Sequence, residues 1–325
     1  MKSLDTFEGI FSAVPTPFGD DGSVDLAGLV NLMSWQRRPN WVRSGQGIKQ
    51  QAPSGVSGFV LYGTTGEAPT LSLNEKEMIT QTAMTHFSDM PLIAGVGTNS
   101  TTDSRALAHQ VRSWGVDAGL LVTPYYNKPS QEGIYRHVLS VAEAVADWPL
   151  VLYVVPSRAS VTLELETVDR ILTACPQVIA IKDATADLNY CSELVSYCAD
   201  RATILSGDDQ TALAAWSTGA RGSISVSSNL LPAEMMRLWH LFNQGKLIDA
   251  RTLFLSLHPL INALFVESNP TPLKAALSYM TQQGIIQLPT HIRSIVRLPL
   301  ADLEEANAQA LIQTINAYLT MVEEV

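Results

Sequence analysis

Cysteine is scarce and odd in number: Cys175, Cys191 and Cys198 are the full set, with no C-x-x-C spacing. That excludes a disulfide framework and suits a reducing compartment. Positive charge is also short, with 21 Lys and Arg against 31 Asp and Glu and a formal net charge of −10. Such a balance argues against a nucleic-acid or anionic-membrane partner. No stretch approaches the ~18 uninterrupted apolar residues that suggest a membrane span. The opening M-K-S-L-D-T-F-E-G carries acids where a secretory leader would be apolar, so a cytoplasmic location is expected. The six histidines (His86, His109, His137, His240, His258, His291) show no H-E-x-x-H or paired spacing. No G-x-S-x-G elbow occurs, and neither G-T-T-G-E nor G-V-G-T-N-S completes a phosphate or dinucleotide fingerprint. No metal and no organic cofactor are expected.

What the chain has is apolar material, 46% of 325 residues, enough for a large core. Length alone suggests two domains, although α/β barrels of this size often count as one. Short β-branched runs alternate with helical patterns. Strands are expected at Gly9–Val14, Gly58–Tyr62, Leu92–Val96, Ala118–Thr123, Leu150–Val155, Val178–Lys182, Thr203–Ser206 and Gly222–Val226. Amphipathic segments such as Leu26–Trp35, Asn74–Phe87 and Ser104–Trp114 lie between them. Ser72 and Glu75 form a capping box ahead of the second of these, and Gly115 closes the third. A run of strand–helix units predicts a parallel sheet with right-handed crossovers. A doubly wound open sheet competes, but eight consecutive units favour closure into a (β/α)8 TIM barrel.

The strand pattern stops near residue 246. Leu247–Val266, Thr271–Thr281 and Ala301–Val322 then read as a C-terminal helical appendage, with Pro259 expected to kink the first. The expected division is therefore 1–245, a barrel with the reactive site, and 246–325, a helical region. Arg37–Ser54 fits neither pattern: it is locally basic, rich in loop formers and longer than a usual connection.

In a barrel, reactive groups come from the C-terminal strand ends and the loops that follow. Lys182 ends the apolar run V-I-A-I-K-D. A neutral amine there would attack a ketone to form an imine, and burial prepares such amines by disfavouring the ammonium. Taken alone, a strand-end lysine is more often structural, with its amine led into water. Tyr153 shifts that balance, because it ends the preceding strand at a similar height, and strands lie ~4.8 Å apart. Its phenol would relay protons, although a barrel-wall aromatic is the plainer reading. Thr64 and Thr65 in G-T-T-G-E offer two hydroxyls and backbone N–H groups to a carboxylate, or form an ordinary strand-to-helix turn. Arg158 in P-S-R-A-S would pair with a second carboxylate, or sit on the surface.

These segments are joined by T-P-Y-Y-N-K-P-S-Q-E-G, L-Y-V-V-P-S-R, S-G-D-D, G-S-I-S-V and F-V-E-S-N-P-T-P-L-K. Together, in this order over nearly the whole chain, they resemble the dihydrodipicolinate synthase/N-acetylneuraminate lyase family of Schiff-base pyruvate enzymes. The resemblance implies that Lys182 forms the imine and that Tyr153 shuttles protons with Thr64 and Tyr126. The tyrosine at Tyr126's position reaches a neighbouring subunit's site in the family, so a homo-oligomer, dimer or tetramer, is implied. Thr65 would bind the pyruvate carboxylate alongside the backbone of Thr64, with Gly207 and Ile224 as further substrate-binding positions. Arginine at Arg158 points to the synthase branch, in which pyruvate condenses with L-aspartate 4-semialdehyde in lysine and diaminopimelate biosynthesis. The alternatives are an aldolase or dehydratase acting on a 2-keto-3-deoxy sugar acid or N-acetylneuraminate, and a non-catalytic barrel that binds small acids.

Several positions depart from the family pattern. Val154 stands where asparagine is common, and Arg37–Ser54 is longer than the usual connection. Lysine-inhibited members often carry histidines where this chain has Leu73 and Lys76. Asn99 matches another inhibitor-site residue, while Asp103 would replace a glutamate. Lys76 would repel a cationic inhibitor, so weak or absent lysine feedback is expected.

Overall fold

The computed structural model describes residues 7–39, 55–198 and 200–323. Eight strands occur: β1 (Gly9–Ala13), β2 (Gly58–Leu61), β3 (Leu92–Gly95), β4 (Ala118–Val122), β5 (Leu150–Val154), β6 (Val178–Asp183), β7 (Thr203–Ser206) and β8 (Gly222–Ser225). They close a barrel in sequence order, and the pairings from β3 through β8 are parallel. The expected (β/α)8 barrel is therefore present, with strand ends within a residue of those read from the sequence.

Every residue of β1, β2, β5, β6, β7 and β8 is buried. Parallel strands covered on both faces need apolar side chains at successive positions, which is why these runs lack strict alternation. Burial continues through Lys182 and Asp183 at the end of β6, where the apolar run has ended.

The barrel helices are α1 (Leu26–Arg37), α2 (Leu73–Phe87), α3 (Thr101–Ser113), α4 (Gln131–Val145), α5 (Pro156–Ala159), α6 (Leu165–Ala174), α7 (Leu188–Cys198), α8 (Ala212–Thr218) and α9 (Pro232–Asn243). Their starts follow side-chain chemistry. Asp25, Ser100 and Ser130 each accept a backbone N–H three residues on. The capping box ahead of α2 is made in both directions: Ser72 N donates to Glu75 Oε2 at 2.8 Å and Glu75 N to Ser72 Oγ at 3.3 Å. Gly115, at φ +93°, follows α3 as expected.

After the barrel come α10 (Leu247–Ala263), which runs through Pro259, then α11 (Thr271–Gln282) and α12 (Glu305–Glu323). Of the expected Arg37–Ser54 excursion, Arg37 closes α1 and residues 40–54 lie outside the described residues. Two compact units divide the chain: Met1–Phe11 with Ala83–Ser225, and Ser12–Thr82 with Val226–Val325. Among the described residues, no helix is long and apolar enough to cross a membrane.

Candidate active site

In the first unit, the register of β5 against β6 sets Tyr153 opposite Lys182, as the matched strand ends predict. The Lys182 amine lies 4.2 Å from the centroid of the Tyr153 ring, over its face. Both side chains are buried; Lys182 is 6% exposed. Among the described residues no carboxylate pairs with Lys182, and its amine makes no hydrogen bond. The nearby acids are engaged locally. Asp183 Oδ1 accepts from Thr185 N at 2.9 Å and Thr185 Oγ1 at 2.7 Å. Burial raises the pKa of this carboxyl, and the Thr185 bonds oppose that shift. Asp208 Oδ2 accepts from Thr211 N and Thr211 Oγ1, at 2.9 and 2.7 Å.

Gly207 makes room for the lysine. A Cβ at this position would lie 2.8 Å from Lys182 Cε and 2.8 Å from Ala184 Cβ. Its backbone N–H donates to Asp183 O at 2.6 Å, tying the S-G-D-D loop to the end of β6. Ile224, fully buried on β8, is an apolar wall residue.

In the second unit, G-T-T-G-E forms a tight turn. Glu67 N donates to Thr64 O at 3.0 Å, and Thr16 Oγ1 donates to Gly66 O at 2.7 Å. Gly66 is needed for close approach: a Cβ there would lie 2.6 Å from Tyr62 Cα. Thr65 is buried, and Asn269 Nδ2 donates to its Oγ1 at 2.9 Å. Glu67 adopts a left-handed backbone, φ +56°, and turns its carboxylate inward. Lys274 Nζ meets Glu67 Oε1 at 2.5 Å and also donates to Ile295 O at 2.8 Å. Arg297 N donates to Glu67 Oε2 at 2.9 Å. Burial pulls the Lys274 amine down to about 8, against the opposing pull of Glu67.

No local sequence pattern marks Asn269, Glu67 and Lys274 as site residues. The available signal was the segment F-V-E-S-N-P-T-P-L-K, but it lies some 200 residues from its partners, and no periodicity links them.

The dihydrodipicolinate synthetase family model matches residues 6–318. A 4-hydroxy-tetrahydrodipicolinate synthase from a Geobacter species is 41% identical over 96% of this chain and 99% of its own. One from Thermodesulfovibrio yellowstonii is 38% identical, covering 96% and 98%. The chain belongs to the dihydrodipicolinate synthetase family. Among solved family members, dihydrodipicolinate synthase from Thermotoga maritima superposes with a TM-score of 0.85 at 33% identity, over 96% of this chain and 99% of that one. The Acinetobacter baumannii enzyme, solved in complex with pyruvate, gives 0.83 at 36% identity, over 96% and 98%.

The remaining positions implied by the family resemblance lie as follows. Tyr126 is 87% exposed with a left-handed backbone, φ +67°. Among the described residues it has no hydrogen bond or ring contact, so its side chain is not packed within its own chain. Asn127 steadies this loop by donating to Asn99 O at 3.1 Å and accepting from Asn99 Nδ2 at 3.0 Å. Arg158 sits on α5 directly after β5, its side chain exposed. Leu73 is exposed, while Lys76 is half-buried and donates to Leu71 O at 3.0 Å. Burial lowers the Lys76 pKa, with Glu75 opposing. Asp103 is exposed in the first turn of α3. Among the described residues, no group of three or more His, Cys, Asp or Glu side chains is placed to hold a metal.

Proposed function

We propose that the chain catalyses the 4-hydroxy-tetrahydrodipicolinate synthase reaction, condensing pyruvate with L-aspartate 4-semialdehyde. The observation that carries this reading is Lys182: a buried amine with no carboxylate partner among the described residues, set in register with Tyr153 in a chain of this family. An amine bound to a carboxylate is held by that partner, whereas one without such a bond is open to a carbonyl carbon.

In this reading Lys182 Nζ adds to C2 of pyruvate, and loss of water from the carbinolamine leaves a protonated imine. That cation draws the electron pair left behind as the C3 methyl loses a proton, forming an enamine. The enamine carbon bonds to the aldehyde carbon of the semialdehyde, whose oxygen takes up a proton. The adduct's own amine then attacks C2 and expels Lys182 as the ring closes. Tyr153 carries protons to and from these atoms, in relay with Thr64 and Tyr126. Thr65 and the Thr64 backbone hold the pyruvate carboxylate, and Arg158 holds that of the semialdehyde. Gly207 leaves space for the lysine stem, and Ile224 supplies an apolar wall at the substrate site.

Tyr126 faces outward in its own chain, which supports a role in a second copy's site and so a homodimer or homotetramer. Cytoplasmic residence fits three free, buried cysteines. Lysine feedback is expected to be weak, because an inhibitor's cation would meet the Lys76 ammonium.

Borohydride added with pyruvate should leave a reduced adduct on Lys182, located by peptide mass spectrometry. Turnover with aspartate semialdehyde should then exceed turnover with aldehydes derived from sugar acids. Absence of the adduct would sink this reading; preference for a sugar-acid aldehyde would move it to the aldolase branch. Lysine that halves the rate at low millimolar concentration would overturn the feedback expectation.

A further inference from the structure

A threonine hydroxyl has one hydrogen to donate and two lone pairs that accept. Left to rotate, that hydrogen points to whichever acceptor is nearest, and a carboxylate ligand must then wait for the right rotamer. A carboxylate only accepts, so a threonine that binds one must present its hydrogen.

Thr65 is buried, and Asn269 Nδ2 donates to its Oγ1 at 2.9 Å. This bond occupies a lone pair and directs the Thr65 hydrogen away from the amide. Asn269 is tied to the turn through the chain that follows it as well. It lies two residues before α11, whose Lys274 is fully buried and bound to Glu67 of the same G-T-T-G-E turn at 2.5 Å. Two bonds therefore join the start of α11 to the turn, one at Thr65 and one at Glu67. The charged pair holds the backbone, and the amide sets the hydroxyl.

We propose that Asn269 is a positioning residue for substrate: it fixes Thr65 as a hydrogen-bond donor toward the pyruvate carboxylate. This rests on the reading of Thr65 given above. The polarity is what matters. Were the asparagine an acceptor for Thr65, the hydroxyl would offer only lone pairs to the anion and would repel it.

Replacement tests the polarity. Asn269→Ala frees the hydroxyl and should raise the KM for pyruvate about threefold to tenfold, the scale of one lost hydrogen bond, with kcat within about twofold. Asn269→Asp keeps the size but replaces the donor with an acceptor and adds a negative charge. It should raise the same KM further, by more than about tenfold, again with the smaller change in kcat. In a Thr65→Val background, Asn269→Ala should add less than about twofold, because the group it acts through is gone.

The measurements are steady-state rates at saturating semialdehyde, and the pyruvate concentration that half-saturates borohydride trapping, on the full chain. Thermal melts run beside them. If Asn269→Ala fails to fold, the near-isosteric Asp variant carries the test alone. Lowered melting temperature with an unchanged pyruvate KM in the Asp variant would assign Asn269 a purely structural role and overturn the proposal. Equal KM effects with and without the Thr65 hydroxyl would also overturn it. Wild-type protein that pyruvate and borohydride never modify would overturn both this inference and the reading beneath it; trapping with unaltered pyruvate dependence in the Asp variant would overturn this one alone.

Discussion

Among the described residues two lysines, Lys182 and Lys274, are buried, and they have opposite surroundings. Lys274, with 0% exposure, has its charge answered by Glu67, the Ile295 carbonyl and the face of Phe18, whose ring centroid is 4.1 Å away. Lys182, at 6% exposure, has only the face of Tyr153 beside its amine among the described residues. Removing an ammonium from water is costly for both. At Lys274 a full set of partners offsets that cost and leaves the amine nothing to react with. At Lys182 the cost stands largely unanswered, and the neighbouring acids Asp183 and Asp208 each turn one oxygen to Thr185 and Thr211 instead. Burial therefore does not distinguish a reactive lysine from a structural one. The partners do.

The sharpest way to break this contrast is to remove each amine in turn. Lys182→Met should lower turnover by about a thousandfold or more and abolish the borohydride adduct, while the melting temperature holds or rises. Retained adduct, or collapse of the fold, would place Lys182 with Lys274. Lys274→Met should instead destabilise the chain by about 3–5 kcal/mol in urea titration, since Glu67 is left charged and buried without its partner. Adding Glu67→Gln should recover much of that loss, because a neutral amide still accepts from Arg297 N. A double variant no more stable than the single one would show that the charge pair is not the main contribution.

Gly207→Ala comes next. The new methyl would press on Lys182 Cε, and kcat/KM should fall about tenfold to a hundredfold with the fold retained. Unchanged kinetics would mean that the lysine stem moves freely and its placement is not set by this loop.

The smallest effect compares the two units under acid. His137, buried on α4 with Nδ1 3.0 Å from Thr101 Oγ1, is pulled down by burial to about 4. Between about pH 6.5 and 4 the unfolded chain takes up this proton and the folded chain does not, so stability falls as pH falls through that window, by on the order of 2–3 kcal/mol. In the second unit, the Arg297 guanidinium beside Glu75 holds its carboxyl down to about 2. Its contribution is complete above about pH 4.5 and is lost between there and about 2. His137→Asn should flatten the upper window of a pH–stability curve and Glu75→Gln the lower one. A His137→Asn protein with an unaltered slope between pH 6.5 and 4 would remove the first assignment.

Much of this is legible in the sequence itself. The strand ends were readable because a buried parallel strand is a short apolar run between polar punctuation, and Lys182 interrupts such a run. The facing of Tyr153 and Lys182 followed because adjacent parallel strands in a barrel end at similar heights. The capping box at Ser72 and Glu75 is a three-residue rule, and it holds. Asn269 and Lys274 escaped because their partners, Thr65 and Glu67, are 204 and 207 residues away. No local pattern records such a contact. Arg297 escaped likewise: it joins Gly22, Thr70 and Glu75 from far along the chain.

The sequence by itself determined the alternation of strands and helices, the acidic surface balance, the family and the chemical types at the strand ends. Those depend on composition and on spacings of a few residues, which the chain carries wherever it lies. Only the tertiary structure decided which buried lysine is paired and which is bare, which hydroxyl of G-T-T-G-E has an amide at its oxygen, and that Tyr126 faces outward. Each of these depends on segments distant in sequence arriving at hydrogen-bonding distance. That requires the backbone positions set by the folded unit as a whole.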